Sequence, residues 1–335
     1  MTHDHRRTTP SPAASHAVQV ELVAVLAAVS NGQPRILTTQ HGQALPCGPF
    51  TQTHRSLQQA MRAWIESETQ HPVGYIEQLY TFADPGRPRD ALDDAHGPAA
   101  RHISISYLGL TREARSPHDT LNAAADHAGW RNWYDYFPWE DRRSDWAEAL
   151  LAEHIAPALQ RWICAAPDAA TRNVRSERMV SYFGLQGVAW NEDLVLQRYE
   201  LLYEAQLVPE AWRSSPGQPA APLVPGAAMQ LDHRRILATG MARLRAKLKY
   251  RPVVFELMPA EFTLLQLQQT AEAITGRWLH KQNFRRLIEQ QEVIEETGGM
   301  DTSGSGRPAK LFRFRSGITH ERAIAGTKLP VANSH

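Results

Sequence analysis

Cysteine is almost missing from this chain. Cys47 and Cys164 are its only two, too few for a disulfide framework or a cysteine-based metal site. That scarcity fits a reducing compartment. No apolar run approaches the roughly 18 residues of a membrane span. The opening MTHDHRRTTPSPAASH lacks the hydrophobic stretch of a signal peptide. These absences lead to the expectation of a cytoplasmic protein with no membrane partner. Fifteen histidines are present, but none form a His-x3-His or HExxH pair. A histidine-bound metal is therefore not expected, and no metal ligand is assigned.

Net charge is nearly absent as well, at +1, yet its distribution is uneven. Residues 232–315 hold 15 Lys and Arg against 9 Asp and Glu, which leaves the rest of the chain slightly acidic. Such asymmetry points to a polyanionic partner near the carboxyl end. With 335 residues, 42% of them hydrophobic, the chain can bury a core and divides into about two or three domains.

Residues 1–15 read as a disordered tail. Val18, Val20, Leu22, Ala24 and Leu26 alternate, which predicts a strand with one face more strongly buried. Asn31-Gly32 signals a hairpin turn, and Arg35-Ile36-Leu37 returns as the partner strand. A loop, GQALPCGPFTQTHR, leads to Ser56, which with Gln59 makes a capping-box pattern. Leu57, Ala60, Met61, Trp64 and Ile65 then form one apolar helical stripe. Tyr75–Phe82 and His102–Leu110 read as strands on either side of a long Pro/Gly/Asp loop.

Residues 128–215 differ in texture. WRNWYDYFPWEDRRSDW interleaves aromatics with charges, and helical patterns follow at Trp146–Ala165 and Asn191–Leu207. This stretch reads as a mainly helical insertion (about 128–222), with PGQPAAPLVPG (216–226) as a linker back. Asp232 starts a basic helix, HRRILATGMARLRAKLKY.

The carboxyl-terminal pattern is helix, turn, helix, hairpin. Thr263 and Gln266 form a second capping box, and Gly276 sits where a left-handed cap is wanted. In HKQNFRRLIEQQ, Phe284, Leu287 and Ile288 face inward, while Lys281, Gln282, Arg285 and Glu289 stay outside. Val293–Thr297 and RPAKLFRFR flank a Gly/Ser-rich tip. This is the winged-helix order, and its second helix suits the major groove of double-stranded DNA. Lys281, Gln282, Asn283, Arg285 and Arg286 are the candidate readers, with Arg307 and Lys310 as backbone clamps at the wing. A dimerisation or docking module would carry the same pattern.

Three segments carry a resemblance. LPCGPFTQTHRSLQQAMRAWIESETQ, YIEQLYTFADPGR and HISISYLGL resemble a Nudix domain of the kind found in Nudix-related regulators of NAD metabolism (NrtR-type). DHRRILATGMARLRAKLKYRPVVFELMPAEFTLLQLQ, KQNFRRLIE and GRPAKLFRF are similar to that family's last Nudix helix and winged helix. Residues 18–110 and 230–315 match, and the insertion matches a longer proteobacterial subgroup. The resemblance implies an α+β chain. A Nudix-like α/β/α sandwich with a helical insertion (16–250) would precede a winged helix-turn-helix (251–316) and a flexible tail (317–335).

Active Nudix boxes carry Gly, five residues, Glu, seven residues, then Arg-Glu-aliphatic-x-Glu-Glu-x-Gly. Here Ala63 takes the Arg position, and Trp64, Ser67 and Glu68 take the three helical Glu positions. The earlier Glu falls on Arg55, the first Gly on Pro49 (with Gly48 adjacent) and the last Gly on Gln70. Glu68 alone is a retained helical acid, too little for a hard cation such as Mg²⁺. Catalytic residues are therefore not assigned, and no cofactor is expected. The resemblance implies an NAD-derived effector such as ADP-ribose, for which Arg87, Arg101, Tyr80 and Phe82 are candidate contacts. The expected function is a ligand-responsive transcriptional regulator, a dimeric repressor on a palindromic operator. A working nucleotide pyrophosphohydrolase and a protein-binding adaptor are the alternatives.

Overall fold

The computed structural model describes residues 18–50, 56–69, 75–83, 101–113, 128–213, 222–250, 253–302 and 308–315. A six-stranded sheet forms the centre: β1 (Val18–Ser30), β2 (Gln33–Thr38), β3 (Cys47–Pro49), β4 (Tyr75–Phe82), β5 (Arg101–Leu110) and β6 (Gly129–Asn132). The strands run in the order β4-β5-β1-β2-β6, with β3 also paired to β1. β1 is antiparallel to β2 and parallel to β5. Asn31 and Gly32 make the turn with φ of 51° and 67°, the pair of positive values an Asn-Gly hairpin turn requires.

The expectation that one face of β1 is more strongly buried does not hold. Leu22 through Ala28 are all buried, because helices cover both sides. On one side, α1 (Leu57–Thr69) sets Ala60, Met61 and Ile65 against Leu22, Ala24, Leu26, Leu37, Ile76 and Tyr107. Ser56 starts this helix as expected, its Oγ accepting from the Gln59 N–H at 3.2 Å. On the other side, α6 (His233–Tyr250) packs on Val23, Val25 and Ala27. Gly240 permits that approach, since a Cβ there would stand 2.8 Å from a Val25 methyl.

The insertion begins not with a helix but with β6, which extends the sheet edge beyond β2. Two short 3-10 turns follow, Trp133–Asp135 and Pro138–Glu140. They bury Trp133, Tyr134, Tyr136, Phe137 and Trp139 in the main core. α2 (Asp145–Leu150) runs through one π-helical stretch into α3 (Ala156–Cys164), and α4 (Ala169–Phe183) and α5 (Val195–Glu204) complete a helical layer. Residues 222–226, read as part of a linker, are anchored to the body at Val224. Val224 is buried and its N–H donates to the Leu207 carbonyl at 2.9 Å.

The last unit comprises α7 (Leu264–Thr275), α8 (Lys281–Gln291) and the hairpin of β7 (Ile294–Asp301) and β8 (Ala309–Phe314). Thr263 and Gln266 form the full capping box, and Gly276 caps α7 at φ 71°, a left-handed value that glycine adopts without strain. β7 continues through Gly298 and Gly299 to Asp301, farther than the sequence suggested. An irregularity in register between Glu296 and Met300 accommodates the glycines.

Candidate DNA-reading head and nucleotide cleft

α8 separates its residues sharply. Phe284 and Ile288 are buried and fix the helix on the core, while Lys281, Gln282, Asn283, Arg285 and Arg286 are exposed. At its start, His280 makes no side-chain cap bond, so the first-turn N–H groups add their partial positive charge to Lys281. The apolar stripe alone dictates that these amide and basic groups face outward. Phe262 adds a short third edge to the wing through reciprocal bonds with Phe312, at 2.9 and 2.8 Å. Lys310 stands on β8 with its ammonium 2.8 Å from Glu296, and Arg313 pairs with Glu295 at 2.7 Å. Lys310 is thus already paired across the hairpin, a cross-strand arrangement that spacing along the chain does not reveal. Arg307 lies outside the described residues.

The head does not hang from a tether; it is fastened to the body by a buried polar cluster that the sequence did not disclose. Glu140 is fully buried and receives Arg198 at 2.5 and 2.9 Å and Arg245 at 2.6 Å. Arg245 also donates through Nε to the Ile274 carbonyl at 2.9 Å, and the Tyr134 hydroxyl donates to the Ala273 carbonyl at 2.8 Å. Both bonds satisfy carbonyls in the last turn of α7, which otherwise lack partners. Gly276 completes the joint, because a Cβ there would lie 2.3 Å from the Glu140 carbonyl oxygen. Burial alone would raise the Glu140 carboxyl, but the charges and hydrogen bonds of Arg198 and Arg245 outweigh it and hold it low.

In the sheet-and-helix body, the described residues of the box region form no carboxylate cluster. Trp64 lies against Gly48, whose absent side chain makes room: a Cβ at 48 would stand 2.6 Å from the indole Nε1. An indole therefore packs into β3 from the position where the box would carry its first helical acid. Ala63 is exposed, and the side chains of Ser67 and Glu68 lie outside the described residues. Neither indole nor alanine supplies the oxygen ligands Mg²⁺ needs, and the box positions described here do not fit that ion.

On the opposite face of the sheet, Glu21, Cys47 and His233 bring potential ligand atoms within 4.8 Å of one another. The Leu45 N–H donates to His233 Nδ1 at 2.9 Å, so the neutral ring carries its proton on Nε2. Metal-bound histidines show the reverse, donating from their second nitrogen. Burial, then the neighbouring Glu21, pushes the Cys47 thiol up to about 12, away from the thiolate a metal requires. The trio as arranged does not fit a cation cage.

Among the candidate ligand contacts, Tyr80 is 60% exposed and Phe82 only 4%. Their rings meet edge to face at 5.2 Å, and Arg235 lies over Phe82 at 4.9 Å. Phe82 therefore belongs to the core and supports Tyr80 from beneath. Ser106 holds the Tyr80 backbone, donating to its carbonyl at 2.8 Å. Arg101 opens β5 opposite Val18, with its side chain outside the described residues, and Arg87 lies outside them altogether.

The architecture is thus a sheet covered by helices on both faces, joined through a buried ionic cluster to a winged helix. The family model of the NrtR DNA-binding winged helix domain matches residues 254–314. A curated relative, the ADPR responsive transcriptional repressor NtrR of Acinetobacter baylyi, is 41% identical over 86 residues. That match spans 26% of this chain and about a third (34%) of the relative's length. Shewanella oneidensis NrtR solved with a 27mer DNA aligns with a TM-score of 0.52 at 18% identity, covering 90% of this chain and 95% of that one. A second crystal structure of Shewanella oneidensis NrtR gives 0.50, also at 18% identity, over 90% and 96%. The carboxyl-terminal domain is thus an NrtR-type winged helix, and it stands on a Nudix-like body with the overall fold of those regulators.

Proposed function

We propose that this chain is a ligand-responsive transcriptional repressor of NAD-related genes, with a sensing body (16–250) and a reading domain (251–316). The exposed first turn and outer face of α8 carry this reading. Lys281, Gln282, Asn283, Arg285 and Arg286 enter the major groove, and Arg307 and Lys310 contact the backbone beside it. Gln and Asn suit adenine, and Arg suits guanine or phosphate. A homodimer would place two such helices on a palindromic operator with half-sites spaced by helical turns.

The effector is an NAD-derived nucleotide, ADP-ribose first, held near Tyr80, Phe82, Arg87 and Arg101. Ala63 and Trp64 at box positions support a body that binds without hydrolysing. Ligand binding then shifts the chain away from its DNA-competent arrangement, by linkage. The test is a scan of promoter fragments with the purified full chain, with and without ADP-ribose. Selective, salt-sensitive binding to one fragment, released by ADP-ribose, is expected. Binding to no fragment at any salt would refute the reading.

A further inference from the structure

A cavity of about 680 Å³ opens at the edge of the sheet where the insertion meets it, in contact with neither α1 nor β4. Its walls include His41, Arg131, Asp135, Tyr136, Arg213 and Gln230. The size suits a nucleotide or a sugar phosphate. Arg131 projects from β6 with no carboxylate within ion-pair distance among the described residues; it donates a long hydrogen bond to the His41 carbonyl, at 3.5 Å. Arg213 donates to the carbonyls of Met229 and Leu231. The floor is strained. Gln40, His41 and Gly42 all have positive φ, at 50°, 58° and 94°, and two of the three carry a side chain. The Tyr136 hydroxyl holds that loop by donating to the Gly42 carbonyl at 2.6 Å. Burial, first among its causes, pushes this phenol up to about 12, so it remains a neutral donor.

We propose that this cavity is a second small-molecule site, taking a phosphorylated ligand with its anionic group toward Arg131 and Arg213 and its hydroxyls toward Asp135 and Gln230. The site communicates with the reading head through one short segment. Asp135 and Tyr136 line the cavity, while Tyr134 and Glu140 on either side of them bond α7 directly or through Arg245. Further along, Trp278, just before α8, donates to the Arg143 carbonyl at 2.9 Å.

The experiment is calorimetric titration of the full chain with inorganic pyrophosphate and, separately, with AMP. Two variants accompany it: Arg131→Glu, which reverses the wall charge, and Ala228→Trp, which fills the cavity without altering charge. Saturable binding of at least one probe is expected, weakened about tenfold or more by each variant, as loss of a charge-assisted contact implies. Melting temperatures close to wild type show that both variants fold. If pyrophosphate alone binds, the site takes a free phosphate group; stronger binding of AMP assigns it to a nucleotide. Absence of binding by both probes, or binding that neither variant changes, overturns the proposal. Release of DNA by ADP-ribose is scored separately, so its failure counts against the proposed function and not against this cavity.

Discussion

Two regions of the molecule treat carboxylates in opposite ways. Along α1, described box positions that would carry Arg and Glu in a working hydrolase hold Ala63 and Trp64, and Trp64 packs against Gly48. At the junction with the winged helix, Glu140 is fully buried between Arg198 and Arg245, and Arg245 ties it to the last turn of α7. At these described positions of the first region, packing stands where oxygen ligands would. The second keeps a costly buried charge, which persists only where its partners are fixed. The contrast teaches that the described residues place their buried charge at the joint with the winged helix and apolar packing along α1.

The strongest way to break that contrast is at Glu140. Glu140→Gln leaves Arg198 and Arg245 buried without their counter-charge, and removing one partner of such a cluster costs about 3–5 kcal/mol. Chemical denaturation should show that loss, together with weaker DNA binding; a variant as stable as wild type would mean the joint carries little. The cluster also has a pH signature. Its carboxyl lies low in the folded state, so its contribution is present above the unfolded value of about 4.3 and is lost as pH falls through the folded pKa. Glu140→Gln should therefore flatten the acid limb of the stability curve.

Next in size come Arg285→Ala and Arg286→Ala. Each should weaken operator binding by about 1–3 kcal/mol and flatten its salt dependence, with melting unchanged. Unaltered affinity in both would remove α8 as the reader. Gly48→Ala drives a methyl into the Trp64 indole and should cost about 1–3 kcal/mol through overpacking, seen as a lower denaturation midpoint. The smallest effect is expected from Trp64→Glu. One restored acid does not rebuild an octahedral site, so AMP release from ADP-ribose with Mg²⁺ should stay at buffer background. Turnover in that variant would show that the box needs only one change.

Much of this was legible locally. Asn31-Gly32, the Ser56 and Thr263 caps, Gly276 and the inward set Phe284 and Ile288 are decided by neighbours within about four residues, where helix and turn physics acts. What escaped is decided at long range. β6 is four residues long and is defined by pairing with β2, about 95 positions earlier. α4 was missed because its apolar positions are sparse among polar ones: of its fifteen residues only Met179 and Phe183 are buried. Glu140 and Arg245 are 105 residues apart, and nothing near either announces the other. At the wing, Lys310 reads as a free cation until Glu296 is seen across the hairpin.

The most direct test measures the affinity of the full chain for its operator fragment by fluorescence anisotropy, with increasing ADP-ribose and Mg²⁺, while the nucleotide is recovered and quantified. The account predicts that DNA is released and the ADP-ribose is returned intact. Cleavage of the nucleotide at an enzymatic rate, or DNA affinity indifferent to saturating ligand, would contradict it.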